Sequence, residues 1–224
     1  MLELIVFDWD DVFTTGSTNA YYACYIKAAV DAGSSVSEAK VKDTVDELWG
    51  RPHEEVIRSY LIDEPELFAE TNKNYEKYIH TDVFLDNLTI VEGSLSMLKR
   101  LSNDYTLAIV SGINPNLLKE KVFPKFDVPQ VFKKIVTSYD LDDRSRGKPH
   151  PDMLNMVLNS LDVKPENTIL IGDAPGDMKM AQAANVTPIA VLTGQLSKDE
   201  ASELNVSLIM NNVTELEDLI SKLS

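Results

Sequence analysis

The chain has 224 residues, a formal net charge of −15 and 44% hydrophobic residues. The charge argues against a nucleic-acid backbone or an anionic membrane as partner, while a small anion held beside a cation stays open. The length leaves room for one large domain or two small ones. One cysteine, Cys24, precludes an intramolecular disulfide. No basic leader is visible and no apolar run approaches the ~18–20 residues of a membrane span. A reduced, cytoplasmic setting is expected.

The four apolar residues Leu4-Ile5-Val6-Phe7 predict a fully buried strand, which runs into Asp8, Asp10 and Asp11. Thr14 to Ser17 reads as a flexible link. From Thr18 to Phe84 the pattern is helical throughout. A first helix over 19–32 stops at Gly33. Ser35 and Glu38 have the spacing of a capping box for a second, which Gly50 ends. Pro52 opens a third. Asp63 and Glu66 open a fourth, running through Tyr75 and Tyr78. After Gly93 the pattern alternates. Helices are predicted at 94–101, 115–125, 151–161, 176–184 and 213–223. Strands are predicted at 106–110, 135–137, 168–171, 188–192 and 207–210. Alternation of this kind implies βαβ units and a parallel sheet, with the helical block inserted after the first strand.

Ligands of an open parallel sheet lie beyond the carboxyl ends of its strands. Three predicted strands end in polar residues: Asp8 with Asp10, Ser111 with Gly112, and Asp173. Asp177 follows Asp173 by four residues, and Lys148 stands at the mouth of another helix. If Asp8 and Asp10 lie on extended backbone, their side chains point the same way. Crowded carboxylates call for an offsetting hard cation, for which Mg²⁺ is suited. Such a set fits phosphoryl transfer. Asp8 would attack phosphorus. Asp10 would protonate the leaving oxygen and later take a proton from water. Asp173 and Asp8 would hold the metal, with Asp177 binding it or its waters. Ser111 would donate to a phosphoryl oxygen, and Lys148 would neutralise charge there. Singly, each residue has a plain structural reading: a turn at Ser111, a solvated surface lysine at Lys148, a helix cap at Asp173. Their convergence on one sheet edge is what favours the chemistry.

The ordered motifs Asp8-Trp9-Asp10, Val110-Ser111-Gly112, Lys148-Pro149 and Gly172-Asp173 with Asp177 resemble those of the haloacid dehalogenase superfamily. The surroundings Gly147-Lys148-Pro149 and Asp140-Leu141 look like its phosphatase and phosphomutase branch. The resemblance implies a Rossmann-like, three-layer α/β/α core over 1–15 and 85–224. It implies an all-α helical cap over 16–84 and a Mg²⁺-dependent aspartyl-phosphate mechanism acting on a small phosphorylated metabolite of the phosphoglycolate or sugar-phosphate type. It also implies a main-chain metal ligand at Asp10 and phosphate contacts at Ser111, Gly112 and Lys148. By the same resemblance, the presence of the second aspartate, Asp10, implies phosphate esters rather than haloacids as substrates. Asp11 stands where that family usually has glycine, and Thr15-Gly16-Ser17 replaces its usual Asp-Ser.

The cap is expected to select the leaving group, with Arg51 in Trp49-Gly50-Arg51-Pro52 a candidate for an anionic substrate end. A surface arginine at a helix start is the plain alternative. Tyr21, Tyr22 and Tyr25 read as packing of the first helix, and the three histidines show no metal spacing. Three other functions compete: a phosphomutase of the β-phosphoglucomutase type, a phospho-signalling receiver, and a non-catalytic binding protein. A receiver is about half this length and lacks an inserted helical block. The intact aspartates and Lys148 speak against mere binding. The oligomeric state is not legible.

Overall fold

A computed structural model of the protein describes residues 1–223. The chain forms two compact units, one of Met1–Thr15 with Ile90 onward, the other of Gly16–Thr89.

The first unit is built on a six-stranded sheet. Its strands are β1 (Leu4–Phe7), β2 (Thr106–Ser111), β3 (Phe132–Thr137), β4 (Thr168–Gly172), β5 (Thr187–Val191) and β6 (Ile209–Met210). The spatial order is β3-β2-β1-β4-β5-β6 and every pairing is parallel. β1 is therefore central. Phe7 is in register with Ile109 on one side and Ile171 on the other. The chain fills the sheet on one side of β1 and then crosses to the other, which makes the carboxyl end of β1 the topological switch point where such sheets bind ligands.

Period-2 alternation puts Leu4 and Val6 on one face and Ile5 and Phe7 on the other, and all four are fully buried. Burial on both faces explains why β1 reads as an unbroken apolar run. Leu4 and Val6 belong to a cluster with Val110, Met153, Val157 and Met178. That face is covered by the helices Asp152–Leu161 and Pro175–Ala183.

Local differences from the sequence reading have definite causes. The predicted helix 115–125 is helical throughout but contains a wider, five-residue π turn at Leu118–Val122. The helix Lys198–Glu203 was not foreseen, although Ser197 and Glu200 form a reciprocal cap there. The closing helix begins as a short 3₁₀ turn at Val213–Glu215 before Leu216–Leu223.

The second unit packs the helices Ser17–Asp31, Glu38–Glu47, His53–Tyr60, Phe68–Tyr78 and Asp82–Leu85. It runs on to Thr89, beyond the expected end at 84. Phe84, packed on Tyr21 of the first helix, and Leu88 are both buried. The cap of the second helix is Ser37, whose hydroxyl accepts from Lys40 N, rather than Ser35. Ser34 and Ser35 donate to the Glu64 carboxylate instead. Tyr25 stacks on Tyr75 at 4.3 Å and Tyr21 meets Phe84 edge-on at 4.9 Å. Tyr22 donates to Asp46. Cys24 is buried, which pushes its thiol up to about 12 and leaves it inert.

Candidate active site

β1 ends at Phe7, and the backbone hydrogen bonds from Val12 N and Phe13 N both reach the Trp9 carbonyl. The acidic segment is thus a tight turn. The extended geometry expected for Asp8 and Asp10 holds only to the strand end, and Asp10 already lies in the turn. Aromatic packing pins it. Trp9 and Phe13 are fully buried, with ring centroids 5.2 Å apart, and Trp9 also meets Phe123 at 4.9 Å. Asp11 adopts a left-handed backbone, φ 52°. This is the position where a glycine was expected, and it is a conformation that aspartate tolerates better than most residues. Held this way, Asp8, Asp10 and Asp11 are only 7%, 9% and 4% exposed.

Asp8 N donates to the Ile171 carbonyl, which fixes the start of the turn to the end of β4. Two residues beyond Ile171 comes Asp173, and the helix Pro175–Ala183 follows. At the start of this helix Asp177 Oδ2 accepts from Ala174 N at 3.3 Å, so Asp177 makes the capping contact that was the plain alternative for Asp173. Gly172 permits this approach, since a Cβ there would lie 2.4 Å from the Asp177 Cβ.

Lys148 is not the solvated lysine of the plain reading. Its ammonium lies 2.9 Å from Asp8 Oδ2 and 2.6 Å from Asp177 Oδ1, with only 11% of the side chain exposed. The structure therefore brings Asp8, Lys148, Asp173 and Asp177 together. One carboxylate oxygen from each of the three aspartates lies within 4.8 Å of the others. Ser111 is buried at the end of β2, and its Oγ accepts from Ile113 N at 3.3 Å. Gly112 is exposed beside it, and its carbonyl accepts from the Ser138 hydroxyl. Arg51 belongs to the other unit, where it pairs at 2.9 Å with Glu55 of the helix His53–Tyr60 that follows it.

Three features escaped the sequence reading. They are Thr193, Gly194 and Gln195, in the loop after β5. The signal was a polar Thr-Gly-Gln directly beyond a strand of the same sheet, the rule that had picked out Ser111 and Asp173.

Burial would drive the Lys148 ammonium down, but the charges of Asp177 and Asp8 outweigh it and hold its pKa above the ordinary lysine value. Lysine is thus a fixed cation here. Burial, with the Asp177 and Asp8 charges, lifts Asp173 well above the usual carboxylate range. Burial also raises Asp177 to about 6, against the opposing pull of Lys148. One buried cation does not balance three buried carboxylates. In addition, Asp8 Oδ1 is buried without a hydrogen-bond partner among the described residues. An orphaned carboxylate oxygen, beside two acids that resist ionisation, fits a hard divalent cation bound through oxygen.

The shifts predict how stability depends on pH. Asp177 and Asp173 bind protons more readily folded than unfolded. Without metal, stability should therefore fall as pH rises from the ordinary carboxylate range near 3.8 through about 6. The melting temperature in EDTA should be higher at pH 5 than at pH 7, and added Mg²⁺ should raise it more at pH 7 than at pH 5. The variant Asp173→Asn should show a weaker pH trend. A metal-free protein that melts higher at pH 7 would contradict the assignment.

A parallel α/β core with an acidic centre at its switch point and an all-helical insertion defines the class. A family model described as haloacid dehalogenase-like hydrolase matches residues 5–191, and the chain belongs to that family. Similar proteins include the pyrophosphatase PpaX of Oceanobacillus iheyensis, 31% identical over 36% of this chain and 37% of its own. The phosphoglycolate phosphatase of Photorhabdus laumondii is 18% identical over 67% of this chain and 63% of its own. The matched stretches thus span from about a third to under two thirds of these curated relatives. A crystal structure described as a predicted phosphoglycolate phosphatase from Haemophilus somnus superposes with a TM-score of 0.80. It covers 98% of each chain at 15% identity, a likeness of fold. No helix among the described residues is long and apolar enough to cross a membrane.

Proposed function

We propose that the protein is a Mg²⁺-dependent phosphatase of small phosphate monoesters, working through a phosphorylated Asp8. The observation that carries this reading is the Asp8 carboxylate itself. One oxygen is held by the Lys148 ammonium at 2.9 Å, and the other is buried without a hydrogen-bond partner among the described residues. A purely structural ion pair has no need to leave an oxygen orphaned, because such an atom costs about 1–3 kcal/mol.

Asp8, Asp173 and Asp177 would hold the cation, with the main chain at Asp10. Bound there, it would offset charge on the phosphoryl oxygens. The rest belongs to the chain. The Asp8 carboxylate forms a bond to phosphorus as the ester oxygen leaves. Asp10 gives that oxygen its proton, so the alcohol departs neutral. Water then attacks the same phosphorus and gives a proton to Asp10. The Asp8–phosphorus bond breaks, which releases phosphate and restores both aspartates. Lys148 holds Asp8 oriented for attack, and Asp177 fixes Lys148 from the other side. Ser111 and Gly112 would carry phosphoryl oxygens from the end of β2.

The names of the relatives divide between a phosphoanhydride substrate and a phosphate monoester. The test is therefore a panel of phosphorylated metabolites that includes pyrophosphate, phosphoglycolate and sugar phosphates. Phosphate release is read with Mg²⁺ and with EDTA. We expect release from monoesters only with the metal, and without a bisphosphate activator. Strict need for a bisphosphate would identify a mutase, and turnover in EDTA would refute the metal assignment.

A further inference from the structure

We propose that Thr193 is a positioning residue that presets the cation site by tying its two halves together, an inference that rests on the phosphatase reading above. The ligands come from distant parts of the chain, the turn after β1 and the end of β4. Both are held by one short loop leaving β5. The Thr193 hydroxyl donates to the Asp11 carbonyl. Two residues on, Gln195 N donates to Asp173 Oδ2 at 3.4 Å, and Leu196 N donates to the Asp173 carbonyl at 2.8 Å. Gly194 lies between them, where a Cβ would come 1.8 Å from Asp173 Oδ2. No side chain fits there, so the loop's backbone lies directly against the Asp173 carboxylate.

The bonds to Asp173 come from the main chain and do not depend on the Thr193 side chain. The bond to Asp11 is made by a side chain and can be removed. It falls on the residue with φ 52°, a backbone that L side chains seldom adopt and that must be held in place by its surroundings. Thr193 therefore fixes the turn that carries Asp8 and Asp10 at a set distance from Asp173. It touches neither substrate nor reacting atoms. It acts on ligand geometry, as outer contacts of metal sites do.

Thr193→Val keeps the shape and removes the hydroxyl, and Thr193→Ser keeps the hydroxyl. The direct readout is a thermal-shift titration of metal-free protein with MgCl₂, which yields an apparent affinity without turnover. Thr193→Val should weaken Mg²⁺ binding about 10-fold. Thr193→Ser should restore it. With Mg²⁺ saturating, the KM of Thr193→Val for a phosphate ester should match the unsubstituted protein. Should Thr193→Val fail to fold, Thr193→Ala and Thr193→Ser carry the same comparison. Unchanged Mg²⁺ affinity in a folded hydroxyl-free variant overturns the proposal while leaving the phosphatase reading intact, as does failure of serine to rescue. No Mg²⁺ binding by the unsubstituted protein overturns both.

Discussion

Asp8→Asn should abolish phosphate release, with a loss of more than about 10⁴-fold, the scale on which removal of a nucleophile is felt. An amide is nearly isosteric with the carboxylate but does not attack phosphorus. The loss should appear in kcat, because the rest of the centre can still bind substrate. The fold should survive. Asp8 lies past the end of β1, whose register rests on backbone bonds and on Leu4 to Phe7. The substitution removes one of three crowded carboxylates. In EDTA the variant should be as stable as the unsubstituted protein or more so, a pattern that separates a catalytic carboxylate from a structural one. Turnover near the original rate in Asp8→Asn would eliminate the covalent route.

Lys148→Met should have the largest effect on stability. Methionine replaces the stem of the lysine and removes its charge. Asp8 and Asp177 would then share a buried site with Asp173 and no cation. Removing one member of a buried ion pair costs about 3–5 kcal/mol, mostly because the remaining charge is left without compensation. Urea unfolding in EDTA at pH 7 is the measurement. The cost should shrink at pH 5, where Asp177, already lifted to about 6, takes a proton. It should shrink again with Mg²⁺. A cost below about 1 kcal/mol at pH 7 would be the value of a surface pair, and would mean that Lys148 does not hold these carboxylates together.

The same centre shows which parts of the fold could be read from the sequence. Asp8, Ser111 and Asp173 were legible because each ends a strand, and a parallel sheet brings those ends to one edge whatever their separation along the chain. The sheet itself was legible from strands buried on both faces. What lay outside such rules was side-chain geometry. Nothing in the sequence says that Asp177 bonds back to the start of its own helix, or that its other oxygen meets Lys148. Both depend on Gly172 allowing a close approach. The strand period does not extend to Asp10, because β1 stops at Phe7. The turn that ends it is set by the Trp9 carbonyl and aromatic packing from Phe123, more than a hundred residues away. Thr193 was passed over because a threonine after a strand is common, and its partner, the Asp11 carbonyl, is a backbone atom with no sequence signature. In the helical unit, Ser37 rather than Ser35 caps the second helix because Ser34 and Ser35 are engaged by Glu64.

The most direct test is to trap the phosphorylated enzyme. In Asp10→Asn the second step should slow by about 10²–10⁴-fold, because water loses its general base, so the covalent species accumulates. The variant is mixed with Mg²⁺ and an aryl phosphate such as p-nitrophenyl phosphate, whose leaving oxygen departs without the proton that Asp10 would give, then quenched in acid, digested and read by mass spectrometry. The account predicts one added phosphoryl group on the peptide containing Asp8, assigned to that residue by fragmentation and absent from the variant that also carries Asp8→Asn. A phosphoryl group found on another residue, or rapid ester hydrolysis with Asp8 never modified, would contradict it.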